Sequence, residues 1–479
     1  MANILFAVSE VDGLVKTGGL ADVARHLPEH LSTMDFSCQL ALPHYQVLNH
    51  LPDLPTMSQV CQFELENIGS DQTFAVTVRQ FNHRGLDIVT FAINDLFDRD
   101  GLYDHDYQAF ADNGLRFGLF SYAIVQFFRD YSELVGFNPN IYHCNDWHTG
   151  LVPLFAKYHL SANVHSVLTI HNGAFQGEFD ISELGGLSAL LPEEERVNNR
   201  VNYLTLAIKY SDKVIAVSPN YATELLSELG SHQLQSTFMA YKDKLTGILN
   251  GCDYHIWNPS NDKYLTQQYD IEHLDKKSLN KSALQKWAGL PINKDIPVFA
   301  QVSRLTEQKG LEYMLPSILD VLEHPVQFVI IGTGNPKFTE QLQELMLQYP
   351  EQLFFFNGYS DEINHQVMAG ADFFLIPSLF EPCGLTQMHA LAYGTLPIAR
   401  KVGGLVDTVI DINDHNGNGI LFAQPEVASL SSALRRAALL YLTHPQKLHY
   451  AQHNAMSCNF SWQRAANTYQ SLYKQLLSI

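Results

Sequence analysis

Positive charge is scarce in this 479-residue chain: 30 lysines and arginines stand against 50 aspartates and glutamates, a formal charge of −20. Nucleic acids and anionic lipid surfaces are gripped through a basic footprint, so the deficit excludes both as general partners. An anionic ligand must instead be held by a few local cations and backbone N–H groups. Cysteine is scarce too. The six (Cys38, Cys61, Cys144, Cys252, Cys383 and Cys458) are scattered with no C-x-x-C pair, which argues against a disulfide framework and for a reduced, cytoplasmic setting. No apolar run is long enough to cross a bilayer. The segment Met1 to Glu10 lacks the basic start of a secretory signal and reads as a buried first strand. Low-complexity tracts and short repeats are missing as well.

What is present is a core-forming composition: 46% apolar and 17% charged residues, in a length that suits about two to four domains. Short apolar runs alternate with amphipathic stretches. Strands are expected at Ile4–Val8, Gln39–Leu42, Leu86–Ile93, Ser166–Ile170 and Lys213–Val217. A second set is expected at Ile296–Val302, Gln327–Ile331, Leu353–Phe356, Phe373–Ile376 and Leu396–Ala399. Several are apolar at every position, as parallel strands covered on both faces require. Helices are expected at Asn113–Arg129, Pro219–Leu229, Gly310–Leu322 and Leu430–Leu442, with an amphipathic tail from Ser461 to Leu477. The alternation predicts doubly wound α/β layers. The polar, irregular stretch Trp257–Lys281 breaks it and places a boundary near 255–265.

The turns between strands and helices carry the candidate chemistry. After the first strand comes Lys16-Thr17-Gly18-Gly19-Leu20, a Gly-rich loop placed where α/β folds admit phosphates or sugars. It is neither a P-loop, since Gly-Leu follows where Lys-Ser/Thr is needed, nor a dinucleotide fingerprint, and plain turn glycines compete with the ligand reading. Gly332-Thr-Gly334-Asn-Pro-Lys337 is likewise an incomplete NAD signature. Ser303-Arg304 through Lys309-Gly310 follows a strand, and its two cations suit a diphosphate unless they are ordinary surface ion pairs. Glu381-Pro-Cys383-Gly384-Leu385-Thr386 opens a helix and sets a carboxylate beside free N–H groups, an arrangement that also fits a bland N-terminal cap. His26-Leu-Pro28-Glu29-His30 matches a zinc-peptidase pattern, but Pro28 between the histidines argues against it. Asp98-Arg-Asp100 and Asp104-His-Asp106 read as turn-forming acids, and Cys383 as a lining residue rather than a nucleophile.

Taken in order along the chain, these segments resemble the bacterial and plant glycogen/starch synthase family. The resemblance is carried by Lys16–Leu20, His143-Cys-Asn-Asp146-Trp-His148-Thr-Gly150, Thr169-Ile-His171-Asn172, Gly247-Ile-Leu-Asn250-Gly-Cys-Asp253 and Trp257-Asn-Pro259. It continues through Arg304–Gly310, Glu381–Gln387 and Gly403-Gly-Leu-Val-Asp407-Thr408. It implies a GT-B fold: two Rossmann-like domains, 1–255 and 256–457, facing a deep cleft, with residues 458–479 forming a helix that crosses back to the first. It implies retaining transfer of glucose from ADP-glucose to the non-reducing end of an α-1,4-glucan such as glycogen, without metal or other cofactor. Residue by residue, it implies that Glu381, His171, Arg304 and Lys309 serve catalysis. It assigns substrate binding to Lys16, Gly18, Gly19, Asp22, Asp146, Asn250, Cys383, Gly384, Leu385 and Thr386. Three positions depart from the family's usual pattern: His389, Leu379 where Arg is common, and Ile420. A GT-B transferase with a small soluble acceptor, and a silent glucan- or nucleotide-binding homologue, remain as other readings. The zinc hydrolase is the third.

Overall fold

Strands that are apolar throughout can only be satisfied when both faces of their sheet are covered, and the chain builds two such sheets. The computed structural model describes all residues except 53, 70–72, 106, 107, 162 and 479, with the backbone alone for residue 197. The chain divides into two compact units, Met1–Ile248 with Trp462–Ile479, and Leu249–Ser461. Among the described residues no helix is long and apolar enough to cross a membrane.

The large sheet of the first unit has nine strands: β1 (Ala2–Ala7), β2 (Phe36–Pro43), β3 (Ser58–Glu64), β4 (Ala75–His83), β5 (Leu86–Ile93), β6 (Ile141–Asn145), β7 (His165–Ile170), β8 (Lys213–Ala216) and β9 (Leu245–Gly247). Their order is β9-β8-β7-β6-β1-β2-β5-β4-β3, parallel except that β4 is antiparallel to both β3 and β5. The sequence reading passed over β3 and β4 because they are half exposed at the sheet's margin. It passed over β6 for the opposite reason: Ile-Tyr-His-Cys-Asn is polar yet buried throughout, because the His143 ring bonds Thr169 Oγ1 (2.7 Å) at one nitrogen and Tyr473 Oη (2.5 Å) at the other.

Helix α1 (Gly19–Ser32) follows β1, and α2 (Asn113–Asp130) is buried on nearly every side. Pro28 lies inside α1 without ending it. Helix α3 (Pro219–Leu225) stops four residues short of expectation, where the Ser227 backbone N–H and hydroxyl turn back onto the Glu224 carbonyl.

The second unit has six parallel strands, β10 (Val298–Val302), β11 (Gln327–Ile331), β12 (Leu353–Phe356), β13 (Phe373–Ile376), β14 (Leu396–Arg400) and β15 (Ile420–Phe422), ordered β12-β11-β10-β13-β14-β15. Phe299 stacks on Phe328 and Phe373 across three neighbouring strands, with centroids 5.1 and 5.2 Å away. Helices α4 (Leu311–Leu319), α5 (Thr386–Ala392) and α6 (Val427–Thr443) belong to this unit. The last helix, α7 (Trp462–Leu477), returns to the first unit and buries Trp462, Ala465, Ala466, Tyr469 and Tyr473, one stripe at helical spacing.

Each sheet has one place where the chain reverses its direction of growth: between β1 and β6 in the first unit, and between β10 and β13 in the second. Crevices outside the carboxyl ends of strands at such points are where open α/β sheets take ligands.

Candidate active site

In the first unit the switch point is flanked by the loop after β1 and the turn after β6. The loop is folded around Glu10, a buried carboxylate that accepts from the Thr17 N–H (2.6 Å), the Thr17 hydroxyl (2.6 Å), the Gly18 N–H (3.1 Å) and the Tyr103 hydroxyl (2.8 Å). The Gly18 N–H therefore points inward to Glu10 rather than outward to a ligand. Gly18 precedes α1 and Gly19 begins it. The Lys16 ammonium donates to Asp12 Oδ1 (2.9 Å) and Asp22 Oδ1 (2.7 Å), while Arg25 donates to the other oxygen of Asp12 (2.9 Å). Glu10, Asp12 and Tyr103 are positioning groups that the sequence reading missed. Only their place beside the Gly-rich loop could have flagged Glu10 and Asp12, and nothing local flags Tyr103.

The turn after β6 carries Asp146 at φ +53°, ψ −171°, a strained region for any residue but glycine and one that concentrates at functional sites. Its carboxylate accepts from the backbone N–H groups of His171 (2.7 Å) and Asn172 (3.4 Å), so Asp146 joins the ends of β6 and β7. Burial outweighs those two bonds and pushes its carboxyl up to about 7. The His171 Nε2 faces Asn145 Oδ1 at 2.9 Å, and desolvation pushes this imidazole down to about 3, leaving it neutral. His148 is held at about 3 in the same way.

In the second unit, the loop after β10 and the loop after β13 lock together. Gln308 Nε2 donates to the Phe380 carbonyl (2.6 Å) and the Leu379 N–H donates to the Gln308 carbonyl (2.8 Å). Gly310, at φ +75°, passes so near the Pro377 carbonyl that a Cβ would lie 1.9 Å from its oxygen, so only glycine fits. This contact brings Lys309 Nζ to Glu381 Oε2 at 2.6 Å, where Ser378 Oγ also donates (2.8 Å). Arg304 is exposed. Gly403 and Gly404 let the next turn close on the Glu381 and Cys383 backbone, and the Gly404 N–H donates to the Glu381 carbonyl (3.1 Å).

Cys383 is buried, and desolvation raises its thiol to about 12 although the Asn250 N–H donates to it. It is no nucleophile at neutral pH. Asn250 thus sits beside Cys383, and its buried Oδ1 has no hydrogen-bond partner among the described residues. Gly384 is at φ +72°, Leu385 caps α5, and Thr386 begins it.

The departures acquire places as well. His389 stacks on Trp257, centroids 3.8 Å apart and planes 9° from parallel, while His365 covers the indole's other face at 4.0 Å. Beside Leu379, Arg400 of β14 donates to the carbonyls of Ser378 and Leu379, so the loop keeps a guanidinium from another element. Ile420 is a buried residue of β15.

His26 and His30 do not converge: His30 Nδ1 faces the His26 carbonyl (2.8 Å), and His26 stacks on Trp462. Asp12, Asp22 and His26 do gather, their ligand atoms within 4.8 Å, and are the trio able to hold a cation among the described residues. Both carboxylates are occupied by the Lys16 and Arg25 pairs. Asp98 lies in a turn and Asp104 in a short exposed strand, while Asp106 falls outside the described residues.

Residues 3–240 match the family described as starch synthase catalytic domain, and residues 285–455 match glycosyl transferases group 1. The chain is 42% identical to the glycogen synthase of Aeromonas hydrophila, over 99% of this chain and 98% of that one. It is 41% identical to the glycogen synthase of Photobacterium profundum, over 98% and 94%. Among solved structures it is similar to the catalytic domain of starch synthase IV from Arabidopsis thaliana bound to ADP and acarbose, with a TM-score of 0.87, 30% identity, and 100% and 99% of the two chains covered. A sucrose-phosphate synthase from Thermosynechococcus elongatus, 17% identical with a TM-score of 0.61 and 100% of both chains covered, shares the fold.

Proposed function

From the premise that this chain belongs to the glycogen synthase family of GT-B glycosyltransferases, we propose that it transfers glucose from ADP-glucose to the non-reducing end of an α-1,4-glucan with retention of configuration. The observation that carries the reading is the Lys309–Glu381 pair at the second unit's switch point, supported by Ser378 and set beside the Cys383–Thr386 loop. A donor's diphosphate finds two cations here, Arg304 and Lys309, and its glucose finds acceptors in Glu381 and Asn250. Family resemblance assigns Lys16, with the Gly18–Gly19 backbone, to the diphosphate side and Asp22, in the first turn of α1, to substrate binding. On this reading residues 249–461 form the nucleotide-sugar unit and the first unit serves the glucan.

Breaking the glucosyl–phosphate bond places negative charge on the departing oxygen. Preorganised cations stabilise such charge without a metal, and none is part of the proposal. The sugar becomes oxocarbenium-like as that bond stretches. Family resemblance assigns His171 a position below the reacting sugar, and desolvation keeps this imidazole neutral. Glu381 is tied to Lys309 and Ser378, which suits orienting sugar hydroxyls better than attacking the anomeric carbon. Retention then follows from same-face attack by the glucan hydroxyl as the diphosphate leaves, and the departing phosphate oxygen takes the hydroxyl's proton. A glucosyl-enzyme trapped on Glu381 would overturn that step.

The decisive assay is glucose incorporation into glycogen from ADP-glucose and UDP-glucose side by side, with and without EDTA. EDTA-resistant transfer favouring ADP-glucose is expected. Transfer from neither donor by folded protein would refute the reading, and loss of activity in EDTA would refute metal independence.

A further inference from the structure

Of the chain's 28 phenylalanines, Phe175 is the one that the described structure leaves exposed, at 63% of its surface. A single exposed apolar side chain is ordinary in itself. Its setting is not. Phe175 lies four residues beyond His171, in the loop that leaves β7, and that loop is tethered throughout. The Gly173 N–H donates to the Tyr221 hydroxyl (2.8 Å), the Ala174 N–H to Asn172 Oδ1 (3.1 Å), and Gln176 Nε2 to the His232 carbonyl (2.6 Å). The Phe175 N–H closes a turn onto the Asn172 carbonyl (3.2 Å), which keeps the two Cα atoms within about 7 Å. Asn172 in turn donates its N–H to Asp146. A preorganised loop therefore holds one bare aromatic ring beside the Asp146–His171 turn.

We propose that Phe175 is a binding platform for the glucan acceptor, its ring packing on the C–H face of a glucose unit. The pyranose ring presents a face of polarised C–H bonds, which the electron-rich face of an aromatic ring attracts, while the sugar's rim of hydroxyls stays free for hydrogen bonds. The surrounding charge selects among ligands. Residues 171–177 contain no lysine or arginine, and Arg200 on the neighbouring strand is already paired with Glu178 (3.1 Å), so this loop offers a nucleoside diphosphate no cation, while a neutral polyhydroxylated chain needs none. The proposal deepens the reading of the protein as a glucan-extending enzyme and rests on it.

The test compares wild type with Phe175→Ala and Phe175→Tyr, reading initial rates against glycogen and against ADP-glucose separately, and maltoheptaose binding by calorimetry. Phe175→Ala should raise the KM for glycogen and the Kd for maltoheptaose about tenfold, equivalent to about 1.4 kcal/mol. The KM for ADP-glucose should stay within twofold, and Phe175→Tyr should restore the glucan constants. Unchanged glucan constants in Phe175→Ala overturn the platform, as does an effect that falls on ADP-glucose instead. A wild type that binds maltoheptaose through Phe175 but transfers no glucose would break the enzymatic reading while leaving the platform intact.

Discussion

Lys309 sits 2.6 Å from Glu381, and this contact is the smallest scale at which the function can be put to trial. Lys309→Ala should lower turnover by about 10²–10³-fold, the usual cost of removing one preorganised charge stabiliser. Steady-state rates at saturating donor and glycogen check this, and near-wild-type turnover would remove Lys309 from the site. Asp146 offers a second trial. Its carboxyl is raised from an ordinary 3.8 to about 7 by burial, so the fold favours the protonated form. The stabilisation this brings is complete below pH 3.8, is lost as pH climbs towards 7, and changes no further above that. Asp146→Asn keeps an oxygen for the His171 N–H and removes the ionisation. The melting temperature of the variant relative to wild type should therefore rise between pH 4 and 7.5, and a flat difference would contradict the burial argument. At this scale the sequence disclosed the residues that sit in motifs. It hid Glu10 and Tyr103, whose roles arise from contacts across 7 and 93 positions that no local pattern encodes.

Among the elements, β10 to β14 were legible nearly to the residue because each is a mostly apolar run, with Gln301, Gln327 and Arg400 the polar exceptions, and burial of both faces leaves few alternatives. β6 was illegible because its histidine and asparagine look like surface residues until α7 and β7 supply partners for His143, and Ala7 of β1 and His171 supply them for Asn145. That dependence predicts what α7 contributes. Tyr473→Phe removes the hydroxyl facing His143 Nδ1 and leaves a buried ring nitrogen unpaired, which should cost about 1–3 kcal/mol of stability. Equilibrium denaturation in urea measures it. No loss of stability would mean that water or another group reaches His143.

For the molecule as a whole, the buried bases of the two units act on stability in different pH ranges. His143, His148 and His171, all in the first unit, are held neutral at about 3 by desolvation, well under the ordinary 6.5. Their stabilisation is present above pH 6.5 and is lost as pH falls below it, a trend that the single Asp146 opposes only partly. In the second unit, Lys277 is buried against the carbonyls of Met368 and Ala369 and the Thr395 hydroxyl, and burial lowers its amine to about 7 from 10.5. Its contribution is present above pH 10.5, is lost between there and pH 7, and is flat below. Lys277→Met isolates that contribution: the melting temperature of the variant relative to wild type should rise as pH falls from 10 to 7 and stay level below 7. A flat difference across that range would contradict the burial argument.

The return of α7 to the first unit sets an order of events during synthesis. Trp462 stacks on His26 and Tyr473 reaches His143, so a core begun by β1 is completed only after all of Leu249–Ser461 has left the ribosome. The second unit is continuous in sequence and needs no such wait. The growing chain therefore carries an unfinished amino-terminal unit beside a finished successor. Its exposed α1 and β6 surfaces in that interval are where a nascent-chain chaperone has most to cover.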